Sequence, residues 1–165
     1  HMTGLDYSEN AVGLANQFFN EDNLDYVQGD AESLPFEAET FDAVINVESS
    51  HCYGSMESFV GEVKRVLKPG GIFSWVDLRG ADDVDALETV FKHSGLTIVK
   101  EEVITENVLK ALDGITNRKE KAISQFVPGF IRSAFNDFAA VKGSRIYNGF
   151  TNGRLVYLSK VFQKN

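Results

Sequence analysis

Two apolar runs rich in β-branched residues constrain the fold most. Residues 41–47 and 72–78 are each long enough for a strand and are apolar along most of their length. This pattern is typical of strands buried on both faces, as in a parallel sheet. Between them lies a helical pattern whose apolar residues fall on one stripe: Phe59, Val60, Val63, Val66 and Leu67. Because parallel strands need a crossover of this kind, the chain is predicted to be an α/β protein.

The same alternation continues along the chain. Further strands are predicted at residues 3–5, 24–27, 96–104 and 155–162. Helices are predicted from the N-cap Ser8 to about Asn20, from Ser55 to residue 67, over residues 84–93, and through most of residues 106–142. The last strand is expected to pair with residues 96–104. The prediction is a Rossmann-like, mostly parallel sheet with an antiparallel C-terminal strand, in a single domain over residues 3–165.

The composition limits the kinds of partner that this chain is expected to bind. The chain has 165 residues, a net charge of −8 and one cysteine, Cys52. The acidic balance argues against a nucleic-acid partner, and the single cysteine, which excludes an internal disulfide, fits a reducing cytoplasm. Without an apolar run of membrane-spanning length, no membrane partner is expected. His1 and Met2 are read as a remnant of cloning.

An acidic residue stands at or just beyond the end of each of the first four predicted strands: Asp6, Asp30, Glu48 and Asp77. These strand ends should lie at one edge of the sheet, where open α/β sheets bind ligands. Asp6 could accept both hydroxyls of a ribose or could cap the following helix. Asp30 could accept from an adenine amine, with the Ala31 N–H donating to a ring nitrogen, or could form an Asx turn.

His51 is the candidate general base, because histidine titrates near neutral pH and this one follows a predicted strand. The alternative is a surface or helix-entry histidine. Its neighbour Cys52 is expected to be a half-buried thiol. Glu48 has two possible roles, as a second catalytic acid or as a ligand to a cofactor amine. His93, in the last turn of a predicted helix, is read as structural.

Three segments carry a family resemblance. The sequences GLDYSENAV, VQGDAESLPFEAETFDAVINVES and EVKRVLKPGGIFSWVDL resemble, in order and spacing, motifs of the class I S-adenosylmethionine-dependent methyltransferases. The resemblance covers roughly residues 3–80. The stretch NVESSHCY is most similar to O-methyltransferases acting on phenolphthiotriolone-like lipids and other natural products.

The resemblance implies S-adenosylmethionine as cofactor and a role for each matching residue. Asp6 would hold the ribose hydroxyls and Tyr7 would pack by the adenine. Asp30 and Ala31 would read the adenine edge. The methionine end would be lined by three residues: Asn46, Val47 and Glu48.

The resemblance also predicts that one strand and one loop of the family are missing from this chain. The first strand of the family and its glycine-rich loop should precede residue 3, so a fold truncated at the N-terminus is expected. That strand lies between those ending at Asp6 and Val47. Without it, the sheet could close up, two copies could share elements in a homodimer, or the chain could be a fragment of a larger enzyme. Weak or absent binding of S-adenosylmethionine is expected.

Three function classes follow. The first is a methyltransferase acting on a small hydroxylated molecule, with apolar acceptors included. The second is a non-catalytic methyltransferase-like binding or dimerisation module. The third, an NAD-linked dehydrogenase, lacks its glycine fingerprint here. Residues 106–142 are a candidate substrate lid, in which most phenylalanines of residues 126–138 are expected in the core and a few in an acceptor pocket. Residues 142–154 are predicted to be a mobile connection.

Overall fold

A computed structural model describes residues 1–19 and 21–165. The strands are β1 (Met2–Asp6), β2 (Leu24–Gln28), β3 (Phe41–Val47), β4 (Leu67–Gly80), β5 (Leu96–Val103) and β6 (Leu155–Lys164). The α-helices are α1 (Glu9–Phe18), α2 (Met56–Val66), α3 (Val84–His93), α4 (Thr105–Phe126), α5 (Arg132–Phe138) and α6 (Arg145–Thr151). The predicted end of the first helix, Asn20, lies outside the described residues.

The strands form two sheets. β1 and β2 pair in parallel, and the second sheet has the order β3-β4-β6-β5. In the second sheet β3 and β4 are parallel, whereas β6 runs antiparallel to both of its neighbours, β4 and β5. The predicted α/β class and the antiparallel C-terminal strand are therefore confirmed. The sheet has not closed up across the gap, because β1 pairs with β2 and, among the described residues, no strand lies between β1 and β3.

The core lies against one face of the second sheet. Helix α2 contributes Phe59 and Val63, and both are buried. The Phe73 and Phe162 rings of β4 and β6 stack with their centroids 5.5 Å apart. Each such side chain contributes about 1.5–3 kcal/mol by leaving water, so this cluster fixes α2 and the ends of β3 and β4.

The predicted burial of the phenylalanines is wrong. Phe130 is 89% exposed and Phe138 is 90% exposed, and Phe126 and Phe135 are also on the surface. All four belong to the helical segment between β5 and β6, on faces that no element of the described chain covers. Helix spacing revealed an apolar stripe, but it did not reveal what would cover that stripe.

Residues 142–154 contain a helix where a mobile connection was predicted. Helix α6 begins after Ser144, whose hydroxyl accepts from the Tyr147 N–H. Tyr147 and Phe150 are buried. Burial of these two rings outweighs the weak helix propensity of the asparagine and glycine residues around them.

A cleft separates the two sheets. The cavity measures ≈ 880 Å³. Strand β1 and strand β3 line it from opposite sides, and the buried face of α2 closes it with Phe59, Val63 and Val66. The structure therefore has an apolar cavity at the position where the resemblance predicts a missing strand.

Candidate functional site

A sharp turn after β3 forms the centre of the site. Glu48, the residue directly after β3, has φ of 49°, in the left-handed region that side chains other than glycine rarely adopt. Its N–H still donates to the Val76 carbonyl at 2.9 Å. The chain then enters a short 3₁₀ turn over Ser50–Cys52. The turn brings Ser50 and His51 back to the carboxyl end of β4.

Asp77, fully buried near the end of β4, holds this turn in place. Its Oδ2 accepts from the Ser50 hydroxyl at 2.7 Å and from the His51 N–H at 2.9 Å. Its Oδ1 lies 2.8 Å from His51 Nδ1. Arg79 Nη1 is 3.1 Å from Oδ2, and Arg79 Nη2 donates to the Ser50 hydroxyl at 2.8 Å. Buried carboxylates are stable only with partners of this kind.

These contacts keep Asp77 ionised. Burial by itself would raise the pKa of Asp77, but hydrogen bonds from Ser50, His51 and Arg79 outweigh burial and hold that pKa below its usual range. A carboxylate accepts but cannot donate, so His51 Nδ1 carries the proton in this pair. Nε2 of His51 has no partner among residues 1–19 and 21–165, and the side chain is 34% exposed. The arrangement leaves the lone pair of Nε2 free to accept a proton.

A second pair lies beside the first. Tyr157 of β6 is buried, and its hydroxyl donates to the Glu48 carboxylate. Burial, followed by that hydrogen bond and the negative charge of Glu48, raises the pKa of Tyr157 far above its usual value. The Tyr157 phenol and the Glu48 carboxylate are thus neighbours that influence each other.

Asn46 carries an unpaired polar atom. Its side-chain N–H donates to the Tyr53 hydroxyl at 3.0 Å, and that hydroxyl is 2.7 Å from the Ser49 hydroxyl. Asn46 is 9% exposed, and its Oδ1 has no hydrogen-bond partner in the described part of the chain. The residue lines the cleft. An unpaired buried acceptor is costly, so this atom marks a place for a donor from outside.

Asp6 and Asp30 lie at the ends of adjacent strands. Asp6 is paired in register with Gln28, two residues before Asp30, and its carbonyl accepts from Gly29. Asp6 Oδ1 accepts from the Ser8 N–H and Asp30 Oδ1 accepts from the Glu32 N–H, each at 2.8 Å. The Asx turn that was the alternative reading of Asp30 is thus present. The cap of α1, the alternative role for Asp6, is instead made by the Ser8 hydroxyl, which accepts from the Ala11 N–H.

The predicted residues fall into two groups. His51, Glu48 and Val47 lie at or just beyond the carboxyl end of β3, whereas Asp6, Tyr7 and Asp30 lie beyond β1 and β2. Ala31 and Asn46 line the cleft between the groups. Tyr7 is exposed, and so is Cys52, which corrects the expected half-buried thiol. His93 Nδ1 is 2.8 Å from the Thr89 carbonyl within α3, at the predicted place.

Sequence reasoning missed the partners of the predicted base. The acid and the arginine near the end of β4 were visible as Asp77 and Arg79, but nothing in the spacing tied them to His51. The buried Ser50 hydroxyl also accepts from Trp75 Nε1 at 2.8 Å. Tyr157 lies more than a hundred residues after Glu48 in the chain, so only the pairing of β6 with β4 could reveal that contact.

Comparison with known proteins gives the family of this fold. Residues 1–75 match the methyltransferase domain family. This part of the chain is a methyltransferase domain. The predicted family resemblance is therefore confirmed, and the matched part includes β1 to β3, α2 and the start of β4.

Curated relatives match over nearly the whole chain. The phthiotriol/phenolphthiotriol dimycocerosates methyltransferase of Mycobacterium tuberculosis is 35% identical over 163 residues, which are 99% of this chain and 60% of that protein. The fatty-acid O-methyltransferase of Mycolicibacterium smegmatis is 31% identical over 98% of this chain and 58% of that protein. The chain spans about 60% of the length of the curated relatives it matches.

Solved methyltransferases share the fold of the domain. The phosphoethanolamine N-methyltransferase 2 of Haemonchus contortus, in complex with S-adenosylhomocysteine, has a TM-score of 0.78 at 18% identity, covering 98% of this chain and 43% of that one. The geranyl diphosphate C-methyltransferase of Streptomyces coelicolor has a TM-score of 0.70 at 16% identity, covering 99% and 62%. The described helices include none that is both long and apolar enough to cross a membrane.

Proposed function

We propose that the methyltransferase domain transfers a methyl group from S-adenosylmethionine to a small hydroxylated acceptor, with apolar acceptors included. The observation that carries this proposal is the His51–Asp77 pair at the carboxyl end of β3 and β4. A general base at this edge suits an oxygen nucleophile, which must lose its proton as it is methylated. The fatty-acid and phthiotriol enzymes named among the relatives support an apolar oxygen acceptor.

His51 would act as the base and Asp77 would position it. With its proton on Nδ1 and Asp77 Oδ1 at 2.8 Å, the imidazole presents Nε2 to an acceptor hydroxyl. The proton passes from the hydroxyl to Nε2, and Asp77 stabilises the imidazolium. S-adenosylmethionine, when bound, supplies an electrophilic methyl on a sulfonium. The remaining task of the protein is alignment and exclusion of water.

The residues proposed to hold the cofactor fit it in two respects. Asp6 and Asp30 use Oδ1 in backbone turns, and their Oδ2 atoms have no partner among the described residues. The orphaned Asn46 Oδ1 can accept from the cofactor's amine. The proposed set is Asp6, Tyr7, Asp30, Ala31, Asn46 and Val47, with Glu48 as a second acid or amine ligand.

We further propose that this chain binds the cofactor weakly. The cleft between β1 and β3 separates the Asp6–Asp30 group from the Asn46–Glu48 group, and a ligand that contacts both groups would have to span it. The alternative function, a non-catalytic binding or dimerisation module, is supported by the unpaired edges of the same two strands. A single domain over 3–165, a lid at 106–142, a homodimer and a cytoplasmic location stay predictions.

The test combines calorimetry with a methylation assay. Titration with S-adenosylmethionine and S-adenosylhomocysteine is expected to give affinity weaker than micromolar. At saturating cofactor, methylation of a long-chain fatty acid and a long-chain phenol is followed by mass spectrometry. His51→Gln should lower kcat by about 10²–10⁴-fold with little change in KM, because it removes the base.

The control is His93→Gln, which alters a histidine of the last turn of α3 and should leave kcat unchanged. Micromolar affinity would refute the weak-binding proposal. Full activity in His51→Gln would refute the role of His51. Absence of methyl transfer from either acceptor, with the cofactor bound, would favour the non-catalytic module.

A further inference from the structure

Residues 118–145, which run from the middle of α4 through α5 to the first residue of α6, are basic in an otherwise acidic chain. We propose that this segment is a docking surface for an anionic lipid bilayer, into which Phe126 and Phe130 insert. The segment contains none of the residues proposed for the cofactor or for catalysis. The proposal therefore goes beyond the proposed methyl transfer and does not rest on it.

The charge of this segment is opposite to that of the rest of the chain. Residues 118–145 contain six basic and two acidic residues, so their net charge is +4. The rest of the chain contains ten basic and 22 acidic residues, so its net charge is −12. An anionic partner is repelled by most of this protein, and the repulsion is reversed only near the basic segment.

Most of this positive charge is not neutralised by carboxylates. Lys142 pairs with Asp113 at 3.0 Å, whereas the other five basic residues of the segment form no ion pair in the described part of the chain. Lys119 and Arg132 donate to backbone carbonyls, which carry no net charge, so these contacts hold the side chains without cancelling their charge. The segment can therefore attract anionic headgroups.

Two phenylalanines project where α4 turns into α5. In this turn, which we call the hairpin tip and define as residues 126–132, Phe126 is 76% exposed and Phe130 is 89% exposed. On α4, Ile115 and Ala122 are also exposed, and they precede Phe126 by three turns and by one turn of the helix. This spacing places the three side chains on one face. Apolar and aromatic side chains beside lysine and arginine are typical of helices that lie in a membrane interface.

The hairpin tip is a fixed turn. Arg132 Nε donates to the Val127 carbonyl and Arg132 Nη2 donates to the Ser124 carbonyl, each at 2.8 Å, so the guanidinium satisfies two carbonyls at the end of α4. Lys119 Nζ donates to the Ala139 carbonyl at 2.6 Å, which joins the end of α5 to the middle of α4. A turn held in this way loses little conformational entropy when its side chains enter a bilayer.

The hairpin tip is too small for a stable protein partner. A phenylalanine buries about 150–250 Å², so two of them supply at most about 500 Å², whereas each side of a stable protein interface buries about 800 Å². A second copy related by a two-fold axis through the tip would also bring two segments of charge +4 together.

A bilayer avoids both difficulties. It accepts apolar side chains one at a time between its headgroups, and its anionic lipids attract lysine and arginine. The expectation of no membrane partner rested on the lack of a membrane-spanning run, and binding to the surface needs no such run.

Phe18, at the end of α1, provides a matched comparison. It is 71% exposed, close to the value for Phe126, but residues 1–63 contain no lysine or arginine. An exposed ring in an acidic environment is repelled together with its surroundings from an anionic surface. Phe18→Ser therefore tests whether exposure alone is enough for binding.

The test is flotation of the full 165-residue chain with vesicles made of equal parts phosphatidylcholine and phosphatidylglycerol, and with vesicles of phosphatidylcholine alone. We expect at least about tenfold stronger binding to the anionic vesicles, and weaker binding as salt screens the charges. Phe130→Ser should weaken binding at least about tenfold, because it removes the inserted ring. Phe18→Ser is the control and should bind as the unaltered chain does.

Charge variants test the electrostatic part separately. Arg118→Gln and Lys121→Gln should each weaken binding to anionic vesicles about fivefold, because each removes one positive charge near the headgroups. Lys92→Gln, at an exposed position of α3 outside the segment, should leave binding unchanged. Phe130→Leu should retain most of the binding, since leucine also inserts, and this variant separates loss of apolar contact from misfolding.

Four results would overturn the proposal. They are no binding to anionic vesicles, equal binding to the two kinds of vesicle, equal weakening by Phe18→Ser and Phe130→Ser, and a dimer in lipid-free sedimentation velocity that Phe130→Ser dissociates. The last result would assign the hairpin tip to a second copy of the chain.

Discussion

At the residue scale, one buried carboxylate organises the site. Asp77 accepts from the Ser50 hydroxyl, the His51 backbone and the Arg79 guanidinium, so it fixes the turn after β3 and the tautomer of the base together. The sequence predicted the position of His51 from a strand end. It could not predict the tie to Asp77, because residues 26 apart meet only when β3 and β4 pair in parallel.

Asp77→Asn is expected to destabilise the fold by about 3–5 kcal/mol at pH 7, since it leaves the Arg79 charge and several donors without a carboxylate. Because the pKa of Asp77 is lowered on folding, its stabilisation is complete above about pH 4 and is lost as the pH falls further. The difference in free energy of unfolding between Asp77→Asn and the unaltered chain should therefore become smaller below pH 4. Urea denaturation from pH 3 to pH 7 measures it.

Asp82→Asn, at an exposed acidic position, is the control for that experiment. It should change stability by less than about 0.5 kcal/mol across the range. A pH-independent gap between Asp77→Asn and the unaltered chain would contradict the assigned ionisation.

At the element scale, the strands were easier to predict than the helices that follow β5. Residues 41–47 and 84–93 were predicted with the bounds that the structure has, because their apolar periodicity is strong. Helix α6 was missed because glycine and asparagine residues break its local signal. What holds α6 is its contact with β6, a long-range contact that no local pattern contains.

Gly149→Ala tests that contact. A Cβ at Gly149 would lie 2.7 Å from Leu155 Cδ1 and 2.9 Å from Leu155 Cγ, so α6 could not keep its place against β6. We expect destabilisation of roughly 1–3 kcal/mol by overpacking. Thermal and urea unfolding measure the change.

The paired variant is Gly114→Ala in α4. A Cβ there would meet no atom within 4 Å. It should stabilise the chain by up to about 1 kcal/mol through helix propensity. Stability changes of opposite sign in the two variants would separate the effect of packing from that of helix propensity. Stabilisation by both variants would show that α6 does not pack on β6 as described.

At the scale of the whole molecule, stability is uneven. The buried hydrophobic cluster comes from α2, β4, α3, β5 and β6, and α1 has no buried residue. Leu14 and Phe18, which form part of the apolar face of α1, are exposed. The sequence indicated apolar faces correctly, but burial depends on a covering element, and the cleft shows where one is lacking.

Amide exchange should reveal this difference. The amides in the β1–β2 pair are expected to exchange at least about a hundredfold faster than those joining β4 and β6, because fewer buried contacts must open. NMR exchange at neutral pH measures both sets in one sample. Equal protection of the two sheets would show that they unfold as one cooperative unit.

The single cysteine has a practical consequence. Cys52 is exposed and lies between His51 and Tyr53, at the rim of the site. A maleimide dye or nitroxide placed there would report on ligand arrival without any prior removal of competing thiols. The native chain thus already contains a spectroscopic handle one residue from its proposed base.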